Sequence, residues 1–167
     1  MNTTIVNHQT IWRTALIDVA LLALACLVPT ISHLMALPLY HLNPMLLVLL
    51  ASLLLVNDRR NAYLMALLLP CVSMLAVGMP TPLKAICMVA ELETVVLVSQ
   101  LLKVFGNKFF GQLGAMLVAM LCAKAVYYVL KAVLISSVAL VGTPVATQVI
   151  VCVAAAVVFA FAVSRNK

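Results

Sequence analysis

The sequence predicts an all-α, polytopic membrane protein: a six-transmembrane-helix bundle with both termini cytoplasmic. Three observations carry that expectation, namely 66% hydrophobic against 8% charged residues, six separate apolar runs, and lysines and arginines gathered in alternate connections. At 167 residues and a mean hydropathy of +1.25, the chain has more apolar surface than a soluble core of its size can hide. The solvent is therefore read as a bilayer. Residues 1–167 read as a single six-helix membrane domain, since no internal repeat, low-complexity tract or extramembrane domain interrupts the runs.

A spanning helix needs about 20 apolar residues, fewer where the bilayer thins. The first run, 14–32, follows Arg13 and contains Ala23-Leu24-Ala25-Cys26, which has the outline of a lipoprotein cleavage box. The leading leucine of such a box is missing and the apolar run continues past Cys26 to Pro29, so the segment reads as a span. The second run, 44–56, is short and is preceded by the irregular stretch PLYHLNP; residues 33–44 are expected to fold back toward the membrane as a loop. The third run, 62–77, follows the basic turn NDRRNA and contains Pro70, while the fourth, 84–102, begins after GMPTP. The fifth and sixth are 110–136 and 144–164.

Orientation follows from the cations, which collect on the cytoplasmic side. Arg13, Arg59, Arg60, Lys103, Lys108, Arg165 and Lys167 occupy the amino terminus, the second and fourth connections and the carboxyl terminus. The other three connections hold only Lys84. That asymmetry places both termini inside and agrees with an even number of spans.

The net charge of +6 does not indicate nucleic acid, because the basic residues stand singly or in pairs without a stripe or interleaved aromatics. The five cysteines, Cys26, Cys71, Cys87, Cys122 and Cys152, all lie in apolar runs and never as CxxC, so neither a disulfide framework nor a zinc site is expected. Phosphate-loop, HExxH and GxSxG motifs are also missing, and the chain reads as a non-enzyme with no intrinsic cofactor.

Charges inside apolar runs are costly and commonly functional. Helical spacing stacks Lys84, Cys87, Met88 and Glu91 on one face of the fourth run, and Lys124, Tyr127, Tyr128 and Lys131 on one face of the fifth. Lys131 and Tyr128 are expected at about the depth of Glu91. His33, Tyr40, His41 and Asn43 in the first outer loop, Thr81 in the second and Gln148 near the outer end of the sixth run fall on the same side. Together these groups form a candidate site for a polar organic molecule held by charge-assisted hydrogen bonds. Met74, Met79 and Met88 cluster there too, either as core filling or as packing for an apolar ring. Glu91 is open to three partners: Lys124, Lys131 or a ligand. A plain brace between two helices is the alternative to a site. Asp18 is expected to reach the interface or Arg13, and Glu93 to point at a neighbouring helix or another subunit.

The NPM segment entering the second run, the NDRRNA turn and the stretch LLLPCVSMLAVGMPTPLKAICMVAELE carry a resemblance. With its GMP turn and its MxxEL pattern from Met88 to Leu92, the chain resembles a substrate-binding S component of the energy-coupling factor (ECF) transporters. The resemblance implies capture of a vitamin or similar micronutrient on the outer side of a prokaryotic cytoplasmic (inner) membrane. It also implies partners, an ECF coupling protein and two ATPase subunits that alone use ATP. In that family, AxxxA-spaced small residues of the first helix contact the coupling protein; here the corresponding positions are Ala15, Val19 and Ala23, with valine breaking the pattern. A cobalamin-specific branch works without a dedicated module and uses a cysteine to contact cobalt, a role that would fall to Cys71.

Three functions are thereby weighed. A binding subunit for micronutrient uptake is favoured, ahead of a structural or assembly subunit whose buried charges only join helices. An intramembrane enzyme using Glu91 and His41 as acid and base has the least support.

Overall fold

A computed structural model of the chain describes residues 8–35, 42–56, 58–102, 109–135 and 145–165. Among these, six helices follow one another: α1 (His8–Leu34), α2 (Pro44–Leu55), α3 (Arg59–Val77), α4 (Pro82–Leu102), α5 (Phe109–Ile135) and α6 (Val145–Arg165). No strand occurs among the described residues. Five of the helices are long and apolar enough to cross a membrane, over Ile11–Ser32, Arg59–Val77, Pro82–Leu102, Phe109–Ile135 and Ala146–Arg165. The exception is α2, whose 12 residues rise about 18 Å, well short of a hydrocarbon core of about 30 Å. Of the expected loop at 33–44, residues 36–41 lie outside the described residues, while 33–34 continue α1 and Pro44 already opens α2.

Local chemistry sets several helix ends. Pro44 opens α2, where its missing N–H leaves no bond unmade. Asp58 caps α3 by accepting from the Arg60 N–H at 3.0 Å. Gly78 ends α3 with φ +73°, a left-handed conformation that costs glycine little, and its N–H returns to the Met74 carbonyl. Ser73 reaches past that end, its hydroxyl donating to the Met79 carbonyl at 2.8 Å.

The helices pack as one bundle in which α4 makes its largest contact with α5 and its next with α3, while α5 also packs on α6. The short helix α2 is the most enclosed. Six of its residues, Met45, Leu46, Val48, Leu49, Leu50 and Ser52, are buried. Its buried face enters the core of the bundle against α1, α3 and α6, while Leu47 and Leu55 on its other side stay exposed. Leu49, Leu69, Leu92, Val96, Met116 and Met120 meet there. Alanines at helix contacts, among them Ala66, Ala119, Ala156 and Ala160, are fully buried and let the backbones approach.

On the outside the surface is apolar, with Leu16, Leu75, Phe110 and Val133 each more than 70% exposed. Such a surface fits lipid rather than water. The least enclosed helix is α1. Ala15, Val19 and Ala23, the positions expected to face a partner, all lie on its exposed side.

Candidate functional site

Glu91 lies nine residues into α4 and is 4% exposed, among neighbours that are mostly apolar. Its carboxylate accepts from the Lys124 ammonium of α5 at 2.6 Å. The same oxygen accepts from the Asn43 side-chain amide at 3.3 Å. Asn43 is the residue before α2, and it adopts the left-handed conformation, φ 47° and ψ 65°, without using its side chain to cap its own helix. Asparagine tolerates that conformation better than other non-glycine residues. The Nδ2 of Asn43 serves as the donor to Glu91.

Around this ion pair α5 supplies an aromatic wall. Lys124 Nζ lies 5.5 Å from the centre of the Tyr127 ring, within cation–π range. Tyr127 and Tyr128 meet edge to face at 5.5 Å. The Tyr128 hydroxyl donates to Gln148 Oε1 at 2.7 Å, which ties the cluster to α6. Cys87, buried one turn before Glu91, lies within electrostatic reach of Lys131. Cys152 of α6 lies within the same reach of Lys124 and Glu91.

The structure thus draws together Asn43, Cys87, Glu91, Tyr127, Tyr128, Lys131 and Gln148 from four elements. It adds Cys152, which the sequence reading did not place in the site, and it includes Lys124, which that reading set on the same face of α5 and left as one of three partners open to Glu91. Of the three partners left open for Glu91, the carboxylate takes Lys124 rather than Lys131. The reason is depth along antiparallel helices. Glu91 stands nine residues from the start of α4 and Lys124 eleven from the end of α5, about 14 and 17 Å, whereas Lys131 stands only about 6 Å in. Counted from the ends read off the sequence, 84 and 136, Lys131 is the nearer match in depth, so the partner follows only from the observed ends of α4 and α5.

Other expected members are arranged differently. Met79, Thr81 and Lys84 are exposed at the connection between α3 and α4. Met88 is half-buried and packs against the apolar core. Tyr40 and His41 lie outside the described residues, as does the side chain of His33. Cys71 is half-buried in α3, and no group of three or more metal-ligating side chains occurs among the described residues.

A second polar knot lies toward the other end of α2. Asn61 of α3 donates its amide to Asp18 of α1 at 3.0 Å and to the Ser52 hydroxyl of α2 at 3.4 Å. Asp18 therefore bonds across the bundle, while Arg13 stays exposed.

Two hollows accompany these clusters. An apolar cleft of about 340 Å³ opens between α2 and α6, and its lining includes Leu42 and Val151, the sequence neighbours of Asn43 and Cys152. A much smaller one, about 10 Å³, is lined in part by Ser99, Gln100 and Gln112. The ion pair lines neither hollow.

Compared with known proteins, the chain matches no family model, no curated protein and no solved structure.

Proposed function

We propose that this protein is the membrane-embedded binding subunit of an uptake system for a vitamin or similar micronutrient. The observation that carries the proposal is the convergence of half-buried Asn43, Lys124, Tyr127, Tyr128 and Gln148, from four elements, on the buried Glu91 carboxylate. Buried charges in a bilayer are expensive, and the left-handed Asn43 adds backbone cost at the same point. Mixed charges beside phenols suit a zwitterionic or carboxylated heterocycle.

In this reading α2 counts as a sixth, partial span, both termini lie in the cytoplasm, and the cluster opens to the outside of a prokaryotic inner membrane. The alternating placement of Arg13, Arg59, Arg60 and Arg165 supports that orientation. An ECF-type module of a coupling protein and two ATPases would supply energy, and the exposed Ala15, Val19 and Ala23 are the surface offered to it.

One observation favours a second reading, that of a structural or assembly subunit. Glu91 is already satisfied within the protein by Lys124 and Asn43, as a helix brace would be. Native mass spectrometry of protein extracted in mild detergent separates the two. A binding subunit retains a small molecule, and Glu91→Ala reduces its capture more than tenfold. Loss of thermal stability with no change in capture, or no capturable molecule at all, would leave the brace.

A further inference from the structure

Glu93 is the second carboxylate of α4, and the cluster at Glu91 does not use it. Two residues further along the helix, it stands about 200° around from Glu91 and so away from Lys124. It shares a side of α4 with Ile86 and Leu97, both exposed on the outside of the bundle, and is itself half-buried. From Pro82 to Glu93 the helix rises about 17 Å and from Glu93 to Leu102 about 14 Å, so the carboxylate lies near the middle of its span. Among the described residues, no side chain hydrogen-bonds to it or pairs with it.

A carboxylate at mid-bilayer is costly and ordinarily meets a cation. The chain has none to give it. Of the described cations, Arg13, Arg59, Arg60, Lys84 and Arg165 lie in the first or last turn of their spans, at the membrane surfaces. Lys124 is committed to Glu91, and Lys131 stands only about 6 Å from the end of α5. A second copy repeats that distribution and would bring another carboxylate, not a cation, to the depth of Glu93. Lipid headgroups hold their charges outside the hydrocarbon core. The missing charge must come from a different protein.

We infer that the side of α4 around Glu93 is an interaction surface for a partner membrane protein, one whose helix carries a lysine or arginine at mid-bilayer depth among aliphatic residues. Charge complementarity selects this occupant, because a wholly apolar helix offers Glu93 nothing that lipid does not. Ile86 and Leu97 meet the aliphatic part of the partner helix, and the small Ala90, one turn before Glu93, lets the two backbones approach. This surface is separate from Ala15, Val19 and Ala23 of α1, and it does not depend on which reading of the Glu91 cluster holds.

The test has two arms, both on the full chain. In phosphatidylcholine vesicles, fluorescence transfer is measured from a donor on the chain to an acceptor on a synthetic polyleucine span bearing lysine, leucine or glutamate at its centre. The lysine span should associate roughly tenfold more tightly than the other two, the scale of polar contacts between membrane helices. Glu93→Gln should abolish that preference and leave the thermal midpoint unchanged, since the carboxylate has no described partner inside the chain. In the native membrane, a photo-crosslinking residue at the exposed Leu97 should capture a protein with a basic residue in mid-span. Glu93→Gln should abolish the capture, and Glu93→Lys should be captured again only when the partner's basic residue is exchanged for glutamate.

Equal association with the three spans overturns the inference. So does a Glu93→Gln chain that no longer folds, which would give the carboxylate a partner within its own bundle. Capture of a second copy, capture of a protein without a mid-span basic residue, capture indifferent to Glu93→Gln, or no captured protein at all overturns it as well.

Discussion

Lys124 of α5 brings its half-buried ammonium 2.6 Å from the buried Glu91 carboxylate of α4, so the two helices that share the largest contact in the bundle are joined by an ion pair. Removing one partner strands the other charge in an apolar setting, a cost of about 3–5 kcal/mol. Lys124→Met and Glu91→Met should each lower the unfolding midpoint sharply in mixed-micelle denaturation. The double variant should recover most of the loss, because two methionines of similar volume restore packing without desolvating a charge. The same double variant bears on function. A brace leaves it fully competent, whereas a binding site leaves it folded and unable to retain ligand.

Asn43 offers a cleaner separation of backbone from amide. Its φ of 47° suits glycine, so Asn43→Gly keeps the entry to α2 and removes only the donor to Glu91. Stability should fall by about 1.5–3 kcal/mol, the usual range for losing a hydrogen bond to a charged acceptor. Asn43→Val should cost more, since a β-branched residue is strained at positive φ. Thermal midpoints of the two variants, with ligand retention measured alongside, check the order.

Tyr128 and Gln148 form the link from the cluster to α6. Tyr128→Phe removes the hydroxyl and leaves the Gln148 carbonyl oxygen without that donor, so about 1–3 kcal/mol should be lost. Tyr128→Phe combined with Gln148→Leu should cost less than the sum of the single changes, as coupled partners do. A thermodynamic double-mutant cycle measures the coupling, and strict additivity would show that the 2.7 Å contact contributes nothing.

Much of the helix layout is legible in the sequence because its punctuation is physical. Pro44, Asp58 and Gly78 mark helix ends by fixed backbone chemistry, and all three stand where the helices begin or stop. The start of α1 was less legible. His8 to Arg13 are polar on average, yet they continue the helix beyond the apolar run. Glu91 stood out because a carboxylate in an apolar run has few explanations. Lys124 did not, because choosing between two lysines on one face requires the relative depth of two helices. The enclosure of α2 was hidden for a related reason: a short apolar run reads alike whether it lies at an edge or at the centre, and only tertiary packing decides. The cleft between α2 and α6 depends on how far those helices splay, which no local pattern records.

The knot of Asp18, Asn61 and Ser52 gives a prediction that separates stability from binding. Asn61 donates to both oxygens, so Asn61→Leu removes the bonded donor from a half-buried carboxylate and from a hydroxyl in a buried residue at once. A loss of about 1–3 kcal/mol is expected, since unsatisfied buried acceptors carry most of the cost of a broken hydrogen bond. Ser52 stands nine residues along from Asn43, about 14 Å by helical rise, and the two knots share no side chain. At that separation their effects should be independent. Asn61→Leu should therefore lower the thermal midpoint without altering ligand retention, and combined with Asn43→Gly it should give the sum of the two stability losses to within about 0.5 kcal/mol. A combined loss far from that sum would mean that α2 transmits strain from one end to the other, coupling the Asp18 end of the bundle to the Glu91 cluster.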